Sequence, residues 1–404
     1  MKIRVIYMLL FVLTKVTLFS QESRDPFLSG IIQLDKGNYS EAIVHFENAA
    51  KNNLSKERLY LKTGEAYYLT GDYETCILYF EKANAIEEHC ADLWLAKTYA
   101  QRKDYDQAVS SLTEHLKSSY RTSETMIKKD PAFDALQYQT SWYNLWQNDW
   151  YSPEEKLHEE VKYFIRKNEL IDALTFLDKK IKESKSPELL HIYRAEINVE
   201  MGNYKAAAMD YTDGLNAKLI SQKYQNLIAR GKCYLKSEQY EKAIGDFNKA
   251  HRFLTENFDL YLIKAETYEK LEDFEKAVNN IETYLSYFPE DKENIQYCGE
   301  LHLKNNNSIK ALRYFNRNLA VDQSNPEYFK SRGKVYLKTR TYKYALEDFS
   351  MALDLNPRDG ECYSMKGLVR YHLNDLSGAC EDWNMAVKLG HASSITYLID
   401  YCKQ

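Results

Sequence analysis

One pattern limits what this chain can fold into: a small residue followed four positions later by a large one, repeated ten times. The pairs are Ala42/Phe46, Cys76/Phe80, Ala108/Leu112, Ala173/Leu177, Ala207/Tyr211, Ala243/Phe247, Ala277/Ile281, Ala311/Phe315, Ala345/Phe349 and Ala379/Trp383. Their first members stand 34, 32, 65, 34, 36, 34, 34, 34 and 34 residues apart. Twelve residues before each pair comes a second small residue: Gly30, Gly64, Ala96, Ala195, Gly231, Ala265, Gly299, Gly333 or Gly367, with Val161 breaking the rule. An aromatic often follows that position by three, as in Tyr67, Tyr99, Phe164, Tyr234, Tyr268 and Tyr336. A fixed period of this length marks stacked units, none of which can bury its apolar face alone.

Spacing of four puts both members of a pair on one helix face. Two antiparallel helices approach closely only where side chains are small, and the large residue one turn on is expected to fill the space toward the next hairpin. Lys36-Gly37-Asn38, Thr70-Gly71-Asp72 and Met201-Gly202-Asn203 each put Gly where a helix must stop. A chain of 404 residues exceeds what one core can serve, and 34 Tyr against 7 Pro and 14 Gly favour long helices over many short strands.

The pattern resembles the tetratricopeptide repeat family, whose unit is a helical hairpin of about 34 residues. The clearest unit runs from Glu327 to Arg358, with Gly333, Tyr336, Tyr342, Ala345, Phe349, Ala352 and Pro357 in place, and the resemblance covers about residues 23 to 120 and 154 to 390. It implies an all-α fold, an α-α superhelix of about ten hairpins with a C-terminal capping helix, and a protein-binding scaffold. In the family the first helix of each hairpin lines the concave surface. The corresponding residues here include Glu65, Lys97, Lys232, Lys236, Glu266, Glu269, Glu300, Lys304, Lys334 and Lys338. Their signs alternate along the array, which suits an extended partner segment of mixed charge. The Lys/Asn clamp that holds chaperone tails in cytosolic members is absent: Leu61/Glu65, Leu93/Lys97, Ile228/Lys232, Leu262/Glu266, Gln296/Glu300 and Lys330/Lys334 stand there.

The regular spacing breaks once, between Ala108 and Ala173. Residues 121–153 carry Trp142, Trp146 and Trp150, which on a helix would form one stripe. Such a stripe reads as cover for the end of the first hairpin group and a joint between two halves, with a glycan or peptidoglycan platform as the alternative. The expected organisation is therefore a signal peptide at 1–20, hairpins at 21–120, a Trp-rich insertion or degenerate repeat at 121–153, hairpins at 154–390 and a cap at 391–404.

Lys2 and Arg4 ahead of the apolar run from Val5 to Leu13, with Ser20 before Gln21, read as an export signal. Nine apolar residues are too few to span a bilayer, so no transmembrane segment is expected in the mature chain. Loss of Lys2, Arg4 and Lys15 takes the net charge from -5 to -8, which disfavours nucleic acid as partner. If the last two helices run antiparallel about Gly390 and His391, Cys402 falls opposite Cys380, and either a disulfide or two packed thiols would fit. The run Ala379-Cys380-Glu381-Asp382-Trp383 with Leu389-Gly390 and Tyr401-Cys402 resembles the closing unit of exported bacterial repeat proteins, and with Ser20-Gln21 it implies a Gram-negative periplasm or envelope. The remaining cysteines, Cys76, Cys90, Cys233, Cys298 and Cys362, fall at or near helix-packing positions, and most read as core. No catalytic constellation stands out: His residues are scattered singly, His158-Glu159-Glu160 lacks a second His, and no phosphate loop or nucleophile elbow occurs. The sequence thus predicts no enzyme, no cofactor and no metal, and leaves the partner protein and the oligomeric state open.

Overall fold

The structure is a computed structural model that describes residues 25–50, 56–215, 220–252, 254 and 256–402. The expected export signal lies outside the described residues. Among them the chain forms helices and no strand. The first three hairpins pair α1 (Pro26–Asp35) with α2 (Tyr39–Ala49), α3 (Lys56–Thr70) with α4 (Tyr73–Asn84), and α5 (Asp92–Gln101) with α6 (Tyr105–Lys117). Two short helices follow, α7 (Glu124–Lys128) and α8 (Thr140–Leu145), separated by 3-10 turns at Pro131–Phe133 and Leu136–Tyr138. Next come α9 (Pro153–Lys167) with α10 (Leu170–Glu183), α11 (Glu188–Glu200) with α12 (Tyr204–Gly214), and α13 (Ile220–Lys236) with α14 (Tyr240–His251). Four more hairpins pair α15 (Asp259–Lys270) with α16 (Phe274–Tyr287), α17 (Lys292–Lys304) with α18 (Ser308–Val321), α19 (Pro326–Lys338) with α20 (Tyr342–Leu355), and α21 (Gly360–His372) with α22 (Leu376–Lys388). Helix α23 (Ser394–Tyr401) closes the array. Two compact units divide at Phe258 and Asp259, each a stack in which consecutive helices pack side by side.

Every hairpin turns on one left-handed residue: Gly37, Gly71, Lys103, Asn168, Gly202, Glu238, Glu272, Asn306, Arg340 and Asn374. The next residue both ends one helix and starts the other. The Asp72, Asp104 and Asp273 amides donate to Tyr67, Tyr99 and Tyr268 carbonyls at 3.1, 2.9 and 2.9 Å, closing the first helix. Their carboxylates then accept from the Thr75, Gln107 and Lys276 amides at 3.1, 3.4 and 3.1 Å, capping the second. Only three of the ten turns use Gly, so a search for Gly alone misses most of them.

The small and large positions meet within a hairpin. A Cβ added to Gly30, Gly64, Gly231, Gly299, Gly333 or Gly367 would lie 2.5 to 2.8 Å from the ring sixteen residues on: Phe46, Phe80, Phe247, Phe315, Phe349 or Trp383. This corrects the expectation that the large residue fills space toward the next hairpin. Where the small residue is Ala96 or Ala265, the partner is the slimmer Leu112 or Ile281; Tyr211 opposite Ala195 is the exception.

A second register runs one residue earlier on both helices. Arg230 binds Asp246 through two bonds of 2.7 Å, and Arg332 binds Asp348 through bonds of 2.8 and 2.7 Å. Arg194 reaches Asp210 at 2.6 Å, and Lys366 lies 3.7 Å from Asp382. All four carboxylates are buried. Arg194 also reaches back to Asp178 at 2.6 Å and Arg332 to Asn316 at 2.7 Å, so one guanidinium joins its own hairpin to the preceding one. Planar forks suit this double duty, and the buried acids require it.

The Trp-rich segment is not a single helical stripe. Helix α8 ends at Leu145, so Trp146 caps it and Trp150 lies beyond it. The residues from 146 to 152 must turn to reach the Ser152–Glu155 capping box of α9, and they cannot continue the helix into Pro153. Trp142 joins Ile127, Phe133, Leu136 and Leu145 in a core against α5 and α6. Trp150 donates to the Leu145 carbonyl at 2.8 Å, and the Lys128 ammonium sits 4.7 Å above the Trp146 ring. Arg121 grips Glu155 through two bonds of 2.8 Å, and the Tyr151 hydroxyl donates to the Thr122 carbonyl at 2.7 Å. Those bonds fasten the segment to α9, and the boundary between compact units falls instead at residues 258 and 259.

At the far end α23 stands where a capping helix is expected. It lays Tyr397 flat on Trp383, with ring centroids 5.0 Å apart, and the Ser394 hydroxyl donates to Ser364 at 2.8 Å. Cys380 and Cys402 form a disulfide with Cα atoms 5.8 Å apart, tying the cap to α22.

Candidate binding face

First helices of consecutive hairpins touch: α1 meets α3, and in the second unit α17 meets α19 and α19 meets α21. They form one face of each stack. In the second unit that face carries Glu266, Glu269, Glu300, Lys304, Lys334 and Lys338; in the first it carries Glu65, Lys97, Lys232 and Lys236.

Many of these charges bridge one hairpin to the next. Lys304 reaches Glu269 at 2.5 Å, and the Tyr297 hydroxyl donates to the same carboxylate at 2.7 Å. Lys334 pairs with Glu361 at 2.9 Å, while Lys338 donates to the Leu303 carbonyl and to Asn306 at 2.9 and 2.8 Å. Glu300 accepts from Gln296 at 3.0 Å, and Gln296 also donates to Ser331 at 2.6 Å. In the first unit Lys97 reaches Asp130 at 2.7 Å and Glu65 takes Lys62 at 2.7 Å. Lys232, Lys236 and Glu266 are exposed and make no ion pair within the described residues. The alternation legible in the sequence is thus partly spent on holding the stack, and three charges remain open to solvent.

Lys330, named in the sequence only as the neighbour of Lys334 at the clamp position, is a buried charge on this face. Its ammonium meets Glu327, Asp359 and Glu361 at 2.8, 3.0 and 3.5 Å. Burial pulls its pKa down, but the Glu327 and Asp359 pairs more than reverse that and raise it above the ordinary lysine range. The clue was its position four residues before Lys334, on the same helix face.

The titratable groups are poised for packing. Burial pushes the Cys76 and Cys233 thiols up to about 11 and those of Cys90, Cys298 and Cys362 up to about 12, where almost no thiolate exists at neutral pH. Four of these five are buried. Burial likewise lowers His115 to about 4, leaving Nε2 unprotonated to accept from the Thr122 amide at 3.1 Å. Tyr138 and Tyr143 are the exposed rings of the Trp-rich segment, whereas Trp142 is 7% exposed.

Glu196 on α11 is half-buried, and burial raises its carboxyl from 4.5 to about 7 against the pull of Lys162. A carboxyl raised by folding stabilises most below pH 4.5 and loses that contribution as pH climbs through 7. Glu196→Gln should therefore be more stable than the parent by about 2 kcal/mol at pH 8 and equal to it near pH 4. Urea midpoints at the two pH values check this; an equal difference at both would show that Glu196 keeps an ordinary pKa.

A family model for the tetratricopeptide repeat matches residues 258–291, and a model for the anaphase-promoting complex, cyclosome, subunit 3 matches residues 35–115. With the ten-hairpin register already in view, this decides the family. The chain is a tetratricopeptide-repeat protein. Solved structures similar to it include the C-terminal part of a TPR repeat-containing protein from Cytophaga hutchinsonii, at 17% identity over 59% of this chain and 98% of that one, TM-score 0.49. A tetratricopeptide repeat protein from Parabacteroides merdae is similar at 18% identity over 59% and 93%, TM-score 0.43. MamA from Desulfovibrio magneticus is similar at 18% identity over 42% and 94%, TM-score 0.38. A search of curated proteins gives no match. The tetratricopeptide-repeat fold is that of a protein-interaction scaffold, and among the described residues no helix is long and apolar enough to cross a membrane.

Proposed function

We propose that this chain is an exported, non-catalytic scaffold of a bacterial periplasm or envelope, and that the first-helix face of each unit takes an extended segment of a partner protein. The observation that carries the binding assignment is the division of charge on that face. Lys304, Lys334 and Lys338 are engaged between hairpins, whereas Lys232, Lys236 and Glu266 are exposed and make no ion pair among the described residues. Exposed Lys232 and Lys236 favour acidic residues in a segment on the first unit, and exposed Glu266 favours basic residues in a segment on the second. Export is supported by the pattern from Lys2 to Gln21 and by the Cys380–Cys402 bridge, a bond that persists in oxidising compartments.

Crosslinking in the native envelope followed by mass spectrometry tests this. The wild-type chain should capture one reproducible partner. A chain carrying Lys232→Glu, Lys236→Glu and Glu266→Lys should capture at least tenfold less with unchanged helicity. Capture at wild-type level would remove the face from consideration. If crosslinks run instead to wall fragments through Tyr138, Tyr143 or Trp146, the glycan-platform reading takes its place.

A further inference from the structure

The hairpin of α17 and α18 is one of those that lack the cation–Asp register. The position held elsewhere by Arg194, Arg230, Arg332 and Lys366 is Cys298, and the buried Asp sixteen residues on is replaced by Tyr314. Glu282 on α16 still supplies the acid that Asp178 gives to Arg194. A carboxylate has kept its place while its register cation has become a thiol.

We propose that Glu282, Cys298 and His302 form a binding site for one zinc-class divalent ion. Cys298 and His302 lie one helical turn apart on α17, so both project from the same face. The Glu282 oxygen lies 3.0 Å from His302 Nε2, and one ligand atom from each of the three residues falls within 4.8 Å of the others. Ligands on a tetrahedral zinc, at about 2.0 to 2.3 Å from the metal, stand about 3.3 to 3.8 Å apart, so rotamer adjustment of about 1 Å closes the set. Thiolate plus imidazole plus carboxylate selects a borderline-soft ion over magnesium or calcium, which require oxygen.

The surroundings allow an ion to enter and be neutralised. Cys298 and His302 are buried, while the side chain of Glu282 is 29% exposed and opens the site to solvent. Metal-free, Glu282 accepts from His302, from Lys310 at 3.2 Å and from the Tyr314 hydroxyl at 3.1 Å. Lys310, 44% exposed on its side chain, can swing into water when an ion takes over its charge-balancing role. His302 Nδ1 has no hydrogen-bond partner among the described residues, and the ring stacks on that of Tyr314 with centroids 5.4 Å apart, which keeps Nε2 aimed at Glu282. On binding, the Cys298 proton leaves to solvent as the S–metal bond forms, a water completes the shell, and affinity falls as pH is lowered.

The full chain, stripped with chelator and with its free thiols reduced, is titrated with Zn2+ and separately with Co2+. One equivalent of Co2+ should produce tetrahedral ligand-field bands with a thiolate charge-transfer band. Cys298→Ser should abolish the latter and weaken Zn2+ at least 100-fold. Glu282→Gln, at the open side of the site, should weaken Zn2+ at least tenfold with unchanged helicity, and Cys90→Ser should change nothing. Absence of both bands in the wild-type chain, or survival of the charge-transfer band in Cys298→Ser, overturns the proposal. If Cys298→Ser does not fold, Glu282→Gln decides alone, and unaltered Zn2+ affinity there overturns it.

Discussion

Arg332→Ala should lower the stability of the unit from Asp259 onward by about 3 kcal/mol, because it leaves the buried Asp348 carboxylate without its bidentate partner. The same guanidinium holds Asn316 on the preceding hairpin, so the loss falls on the joint between hairpins as well as within one. Asp348→Ala should cost less. The side chain of Arg332 is 22% exposed and keeps Asn316 and water, whereas that of Asp348 is 6% exposed and has no comparable refuge. Urea denaturation read by far-UV circular dichroism gives both values. If the two losses were equal, the asymmetry of burial would not be what sets them. Replacing both by apolar residues of similar size should recover most of the deficit, since the pair's desolvation cost disappears with it.

Phe349→Ala should cost about 3 to 5 kcal/mol, the range for emptying a fully buried aromatic site. The space lost lies directly over Gly333, whose added Cβ would come 2.8 Å from the ring. Gly333→Ala alone should therefore destabilise by about 1 to 2 kcal/mol, overpacking outweighing the gain in helix propensity. Combined with Phe349→Leu it should cost less than the sum of the two single changes, because Ala opposite Leu is the pairing that Ala96 and Leu112 already make. Additive losses would mean that the two positions do not share one space. In a stacked array such losses act on the affected hairpin and its neighbours first, so a shoulder at low denaturant is expected in the unfolding curve of each variant.

The hairpin count and the identity of the buried small and large residues were legible because they repeat. Ten copies of Ala42/Phe46-type pairs average away the local noise of any one helix. The partner of each large residue was not legible, since a spacing of twelve plus four can be satisfied within a hairpin or between hairpins. Only the ring of Phe46 lying on Gly30 separates the two. The Arg-Asp register was visible in principle as Arg-Gly followed by Asp-Phe at a fixed sixteen, as in Arg230-Gly231 and Asp246-Phe247, but it occupies only some repeats. On the candidate face, sequence located the charges and could not say which were engaged. Glu269 and Lys304 are 35 residues apart, and their contact depends on how one hairpin sits on the next. The same reason hid Glu282 from Cys298 and His302. Around Trp142 the regular period stops, and there spacing of four ceased to mean helix.

In the proposed binding mode each unit meets the partner through its first helices. A photo-activated crosslinking side chain placed singly at Lys232, Glu266 or Glu300, and at the exposed second-helix positions Met209 and Met351, tests it in the native envelope. The account predicts adducts to one common partner from the three first-helix positions and none from the second-helix pair. Adducts from Met209 or Met351 with none from Lys232, Glu266 and Glu300 would contradict it.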